Sequence, residues 1–122
     1  VVVVSYIFDV GDKTIWSPSL RTGRLYVGLS NCLAEIEGRP TGLSAIAEDM
    51  YEIETESFHA LVDRVFKDFF STDHHVYRSQ LRGWLLTSLV LLKRTGVVIT
   101  PASEDERELL QDLDAFAEAM PM

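Results

Sequence analysis

Asp73, His74 and His75 open the stretch of this chain where groups able to do chemistry gather. Arg78 and Arg82 follow, so that His74, Arg78 and Arg82 are spaced i, i+4, i+8, and His75 and Arg78 i, i+3. On a helix that spacing puts them on one side. A row of imidazole and guanidinium groups can hold a carboxylate, a phosphate or an acidic segment of a partner. In a chain of net charge -8 such a row is a local contrast. The competing use of the two arginines is internal, in ion pairs with acids such as Glu52, Glu54 or Asp63.

Metal or hydrolytic chemistry has less to stand on. Asp73-His74-His75 is similar to the signature tripeptide of the DHH phosphoesterases. Those enzymes hold two metal ions with further aspartates and histidines on a parallel sheet, and the upstream motifs are missing here, so the tripeptide is expected to be fortuitous. His59 and Asp63 form an i, i+4 pair that can face one way. His59 and His74, however, sit at the starts of successive helices, and an antiparallel pair of helices keeps those ends apart by about a dozen residues at ~1.5 Å each. Carboxylate pairs such as Asp9 with Asp12, Glu48 with Asp49, or Glu52 with Glu54 are what chance gives among 19 acidic residues. No Ser-His-Asp or Cys-His arrangement is legible, and no phosphate loop is written around Gly23 and Gly28. The sequence therefore assigns no catalytic residue, no metal and no cofactor, and leans away from an enzyme.

Composition bounds the remaining classes. A chain of 122 residues, 47% of them hydrophobic, is one domain (1–122) able to bury one core without disulfides. Val1–Val4, four valines without a methionine, read as non-native or tag-derived residues and carry no weight. The acidic balance disfavours nucleic acid and anionic membranes and suits a protein partner, although it also serves solubility alone. The single cysteine, Cys32, favours a reducing compartment and is expected to be a buried small hydrophobe. The apolar run Trp84–Leu92 is too short to span a bilayer, and no signal peptide is legible.

The elements that must position these groups follow from periodicity. Ser5–Trp16 reads as a β-hairpin turning at Gly11-Asp12. Ser17 is the expected cap of a helix in which Leu25, Tyr26, Leu29, Cys32, Leu33 and Ile36 form the buried face, ending at Gly38. Gly23 and Gly28 each cost that helix about 1 kcal/mol relative to alanine, and Gly28 implies close approach of another element. Leu43–Met50 is ambiguous, with a short helical turn as one reading, and Met50–Glu54 reads as a strand with one wet face that could pair with the N-terminal hairpin. Thr55 caps a second helix with the stripe Phe58, Leu61, Val62, Val65, Phe66 and Phe69. Asp73–Gly96 is a third helix, apolar on every side from Trp84 to Leu92 and hence central. Val97–Thr100 is a short strand or extended link. Ser103 and Glu106 write a capping box before a last helix burying Leu109, Leu110, Leu113, Phe116, Ala117 and Met120. The expected fold class is helix-rich α+β: an N-terminal β-hairpin with about four helices around a central apolar one.

Tyr6, Phe8, Trp16, Tyr26 and Tyr51 are scattered around the hairpin. Core packing is their default, and Trp16 is the residue most suited to anchor a partner.

The run Tyr6–Ser19, with Pro40-Thr41-Gly42-Leu43 and the Glu52–Val62 stretch, resembles small uncharacterised proteins of Streptomyces-type actinobacteria. That likeness implies a bacterial, cytoplasmic setting and carries no role onto any residue. Two functions stay open. One is a non-enzymatic protein-interaction module, of immunity or accessory type or a homodimer. The other is a small-molecule-binding protein or small enzyme of a biosynthetic or resistance pathway, with a pocket near the His74–Arg82 end of the central helix. The candidate ligand- or partner-binding residues are His74, His75, Arg78, Arg82 and Trp16.

Overall fold

The computed structural model describes residues 5–122; the reading of Val1–Val4 lies outside the described residues. Elements run β1 (Ile7–Val10), β2 (Lys13–Trp16), α1 (Leu20–Glu37), β3 (Leu43–Ala47), β4 (Met50–Ile53), α2 (Thr55–Ser71), α3 (His75–Arg94), α4 (Glu104–Gln111) and α5 (Leu113–Glu118). This is the expected α+β class, with a fuller sheet than the hairpin alone. The four strands lie in the order β2-β1-β4-β3. β1 pairs antiparallel with β2 and parallel with β4, and β3 pairs antiparallel with β4. Gly11, first of the two turn residues between β1 and β2, has φ 61°, as a type II′ hairpin requires of that position.

Three local expectations change. Leu43–Ala47 is a strand, because Glu48-Asp49 turns the chain back and β4 supplies the ladder partners; tertiary pairing overrides the weak helical preference of alanines. The first helix is capped by Ser19, whose Oγ accepts from the Thr22 amide. Ser17 lies too early, because the Tyr6 amide donates to the Pro18 carbonyl at 3.0 Å and Ser5 bridges Ser19. Extended pairing thus continues past Trp16 before the helix can begin. The last helix breaks at Asp112 into α4 and α5. Its cap forms with one partner shifted: the Glu106 amide donates to Ser103 Oγ, while Glu106 Oε1 accepts from the Ala102 amide, one residue before the cap.

The central helix is α3. Trp84, Leu85, Leu86 and Ser88 to Leu92 are all buried. α2 lies antiparallel along it: Arg78 at the start of α3 sits over Phe69 near the end of α2. At the other end, Leu89 and Leu92 line one groove with His59 and Val62. The sheet closes the fold through Phe8, fully buried, which stacks on its cross-strand neighbours Trp16 (5.1 Å) and Tyr51 (5.8 Å). Gly23 completes the contact, since a Cβ there would overlap the Tyr6 ring.

The far end of α3 holds the C-terminus in place. Arg94 donates through Nη1 to the Ile15 carbonyl (2.8 Å) and through Nη2 to the carbonyls of Ala117 (3.2 Å) and Met120 (2.8 Å). The Ser17 amide adds a bond to the Pro121 carbonyl at 2.8 Å. One guanidinium therefore ties β2, α3 and α5 together, a geometry that needs its planar fork. Arg94→Met keeps the aliphatic stem and leaves three carbonyls short of a donor. We expect it to lose about 2–3 kcal/mol in chemical denaturation, with amide exchange accelerating first in 113–122. Arg94→Lys should recover only part of the loss.

Candidate functional site

The surface of this protein is decided in its interior, where α1 meets α3. Ser30 and Ser88 are fully buried. Trp84 Nε1 donates to Ser30 Oγ at 2.8 Å, and Ser30 in turn donates to the Tyr26 carbonyl at 2.8 Å. The Tyr26 hydroxyl and Ser88 Oγ share a hydrogen bond of 2.7 Å. The Tyr26 ring stacks on Trp84 (6.2 Å, 13° between planes) and meets Phe8 and Trp16 edge-on. Burial pushes the Tyr26 phenol far above its ordinary value of 10.0, with the Ser88 hydrogen bond opposing weakly. These contacts fix the rotation of α1 about its own axis: Gly23, Tyr26, Ser30, Leu33 and Ala34 face inward.

The consequence corrects the expected buried face of α1. Tyr26 and Leu33 are buried as expected, but Leu25 is 64% exposed, Leu29 40% and Ile36 61%, and Cys32 is exposed with them. Leu25, Leu29, Cys32 and Ile36 recur at i, i+4, i+7, i+11 and form an apolar stripe about 16 Å long on the outside of the molecule. Helical periodicity marked the stripe correctly as one apolar face. It could not show that the adjacent face, with its tyrosine and serine, has stronger claims on the core. Gly28 borders the stripe, and a Cβ there would meet open space, so no element of the described chain uses its small size.

The residues singled out for chemistry are placed as follows. His74 and His75 are exposed around the start of α3, His74 as its N-cap residue with no side-chain capping bond. Arg78 lies over the Phe69 ring at 4.7 Å and reaches the Phe70 ring at 6.0 Å. Arg82 is paired with Asp112 at 2.6 Å, an internal acid other than Glu52, Glu54 or Asp63. Arg78 and Arg82 share a shallow cleft with Asp105, Glu108 and Asp112, so three carboxylates face two guanidiniums there. The hairpin does not flank this cleft: β2 meets α3 at Arg94, near its opposite end. Trp16 lies in the core, 2% exposed, with Phe8 stacked on its ring and Tyr26 edge-on to it, whereas a partner anchor would need that ring outside. Its indole N–H finds no acceptor among the described residues, a cost of about 1–3 kcal/mol.

A second groove of about 310 Å³ runs between α2, the extended 97–102 link and the start of α4. His59 and Asp63 both line it, as their spacing suggested, beside Phe66, Lys67 and Glu106. Its polar rim is largely self-satisfied: Lys67 pairs with Asp63 at 2.9 Å, and Glu106 serves the α4 cap. Among the described residues, no group of three or more histidines, cysteines or carboxylates is placed to hold a metal ion, and no helix is long and apolar enough to cross a membrane.

The fold and its surface thus define a small α+β domain that presents an apolar helix face to solvent. The chain belongs to a family of unknown function, DUF6086, whose family model matches residues 4–122. Comparison with curated proteins and with solved structures finds no match.

The Tyr26–Ser88 bond is open to direct test. Tyr26→Phe and Ser88→Ala each strand one buried hydroxyl and should cost about 1–3 kcal/mol. The double substitution removes both partners and should cost less than the sum of the singles in denaturant unfolding. The raised Tyr26 pKa adds a pH signature. The unfolded chain ionises this phenol from about its ordinary 10.0, while the fold keeps it neutral. Its contribution is therefore fully present below pH 10 and is lost as pH rises further. Tyr26→Phe should flatten the fall of stability with pH in that alkaline range.

Proposed function

We propose that this protein is a non-enzymatic interaction module that engages a protein partner, or itself, through the exposed stripe of α1. The observation that carries the reading is the exposure of Leu25, Leu29, Cys32 and Ile36 in a single row. Scattered apolar residues are ordinary on a surface; a contiguous row along a helix is the form in which helices recognise partners. The resemblance to actinobacterial proteins and the single free thiol support a bacterial cytoplasmic setting, and an accessory or immunity role suits a small acidic domain. The acidic surface argues against nucleic-acid and membrane partners.

A small-molecule site has less support. The groove beside α2 is at the lower edge of the ~300–1,000 Å³ typical of ligand pockets, and its charged groups already have partners. The Arg78–Arg82 cleft holds more carboxylates than guanidiniums.

The test attaches a short photoactivatable cross-linker to Cys32, which is exposed within the stripe. Illumination in a lysate of the native host should give a discrete protein adduct. Leu29→Glu should abolish that adduct while shifting unfolding by no more than about 0.5 kcal/mol, as exposed substitutions do. No adduct, or one indifferent to Leu29→Glu, would count against the reading.

A further inference from the structure

The stripe on α1 has a companion row one residue earlier. Arg24, Gly28, Asn31 and Glu35 repeat the same i, i+4, i+7, i+11 spacing, and all four are exposed. On a helical projection they lie along one flank of the stripe, opposite the flank that Tyr26 and Leu33 carry into the core. The row is basic at one end, small and neutral in the middle, and acidic at the other. Laid beside a parallel copy through the stripe, it faces the other helix's opposite flank, which Tyr26 and Leu33 carry into the core, so Arg24 and Glu35 meet no counterpart. Laid beside an antiparallel copy, it sets Arg24 against Glu35 at both ends.

Two further observations favour the antiparallel arrangement. The charge order opposes the macrodipole of α1: Arg21 lies in its first turn and Glu35 and Glu37 in its last, with no acid in the first turn and no base in the last. Glu37 turns to Arg64 at 3.2 Å, but Arg24 and Glu35 have no ion-pair partner among the described residues, so nothing in the described chain explains their order. Gly28, costly in a helix and with no described residue near where a Cβ would stand, lies near the middle of the row, where a crossing helix would come closest. Local charge does not forbid self-association either. Arg21 and Arg24 balance Glu35 and Glu37 along α1, although the whole chain carries -8.

Resting on the proposal that the stripe is an interaction surface, we propose that its occupant is a second copy of this chain, with the two α1 helices antiparallel about a two-fold axis. Leu25 lies against Ile36 of the other copy, Leu29 against Cys32 of the other copy, and Arg24 faces Glu35 of the other copy. Such an interface is isologous and closes as a dimer. A seam of four side chains per copy is small against the roughly 1,600 Å² of a standard interface, so the dimer is expected to be a weak one.

Sedimentation equilibrium on the intact chain, from micromolar to millimolar, tests this with a charge exchange. Arg24→Glu and Glu35→Arg should each weaken dimerisation about tenfold or more, because each occurs twice per dimer and turns attraction into repulsion. The double variant should restore the wild-type constant, since its reversed charges again face one another. Neither substitution opposes the helix dipole, so thermal unfolding of the monomer should be unchanged or slightly raised. A monomer at every concentration overturns the second-copy assignment and leaves the stripe to the Cys32 cross-linking assay. A dimer that ignores the single exchanges, or that the double exchange fails to restore, overturns the antiparallel pairing.

Discussion

The bonds of Tyr26 with Ser88 and of Trp84 with Ser30 are the constraint on which the rest of this structure turns. α3 is apolar nearly all round and could accept almost any apolar face against it. What selects one face is the pairing of buried polar groups, because each hydroxyl or N–H stranded in an apolar interior costs about 1–3 kcal/mol, as much as burying an apolar side chain gains. Tyr26 also stacks on Trp84 and meets Phe8 and Trp16 edge-on, so the same side chain that sets α1 on α3 sets the sheet on both. Rotation of α1, placement of the hairpin and composition of the outer surface are thereby one decision.

Much of the scaffold was legible from periodicity. The stripe of α2, the cap at Ser103, the stop at Gly38 and the enclosed run of α3 each depend on local chemistry, and each stands where that chemistry puts it. β3 was not legible. Its alanines and serine carry no strong strand preference, and it exists because β4 offers a ladder and Glu48-Asp49 a turn. Arg94 was equally silent, since a cation near a helix C-terminus is ordinary. Only three converging carbonyls reveal it as the anchor of the C-terminal segment.

The surface was legible only in half. Periodicity found the apolar row of α1 and the anomaly of Gly28, both of which now matter most. It assigned the row to the interior because hydropathy ranks Leu25 and Ile36 above Ser30. Burial is settled by complementarity, and Ser30 has its partner in Trp84, some fifty positions away. The basic strip of α3 was drawn correctly as a helical row, yet its members meet different fates. Arg82 binds Asp112, Arg78 lies on Phe69, and His74 and His75 are exposed around the start of α3. Spacing establishes that groups can share a face; it says nothing of what the opposite element brings.

A polar clasp at the centre of an apolar core contributes little net stability compared with well-packed hydrocarbon. Its physical effect is specificity. If positions 26, 30 and 88 were apolar, α1 could roll by about a third of a turn and bury Leu25, Leu29 and Ile36, the stronger hydrophobes, against α3. The hydroxyls make that roll expensive, since it would carry Tyr26 and Ser30 outward and strand Ser88 and the Trp84 N–H of α3 without partners. The protein thus holds its less apolar helix face inside and its more apolar face outside, an arrangement that raw hydrophobicity opposes and that buried hydrogen bonds maintain. The serine–tyrosine clasp and the exposed leucines are therefore two sides of a single arrangement, in which the buried hydroxyls hold the leucine face of α1 outward.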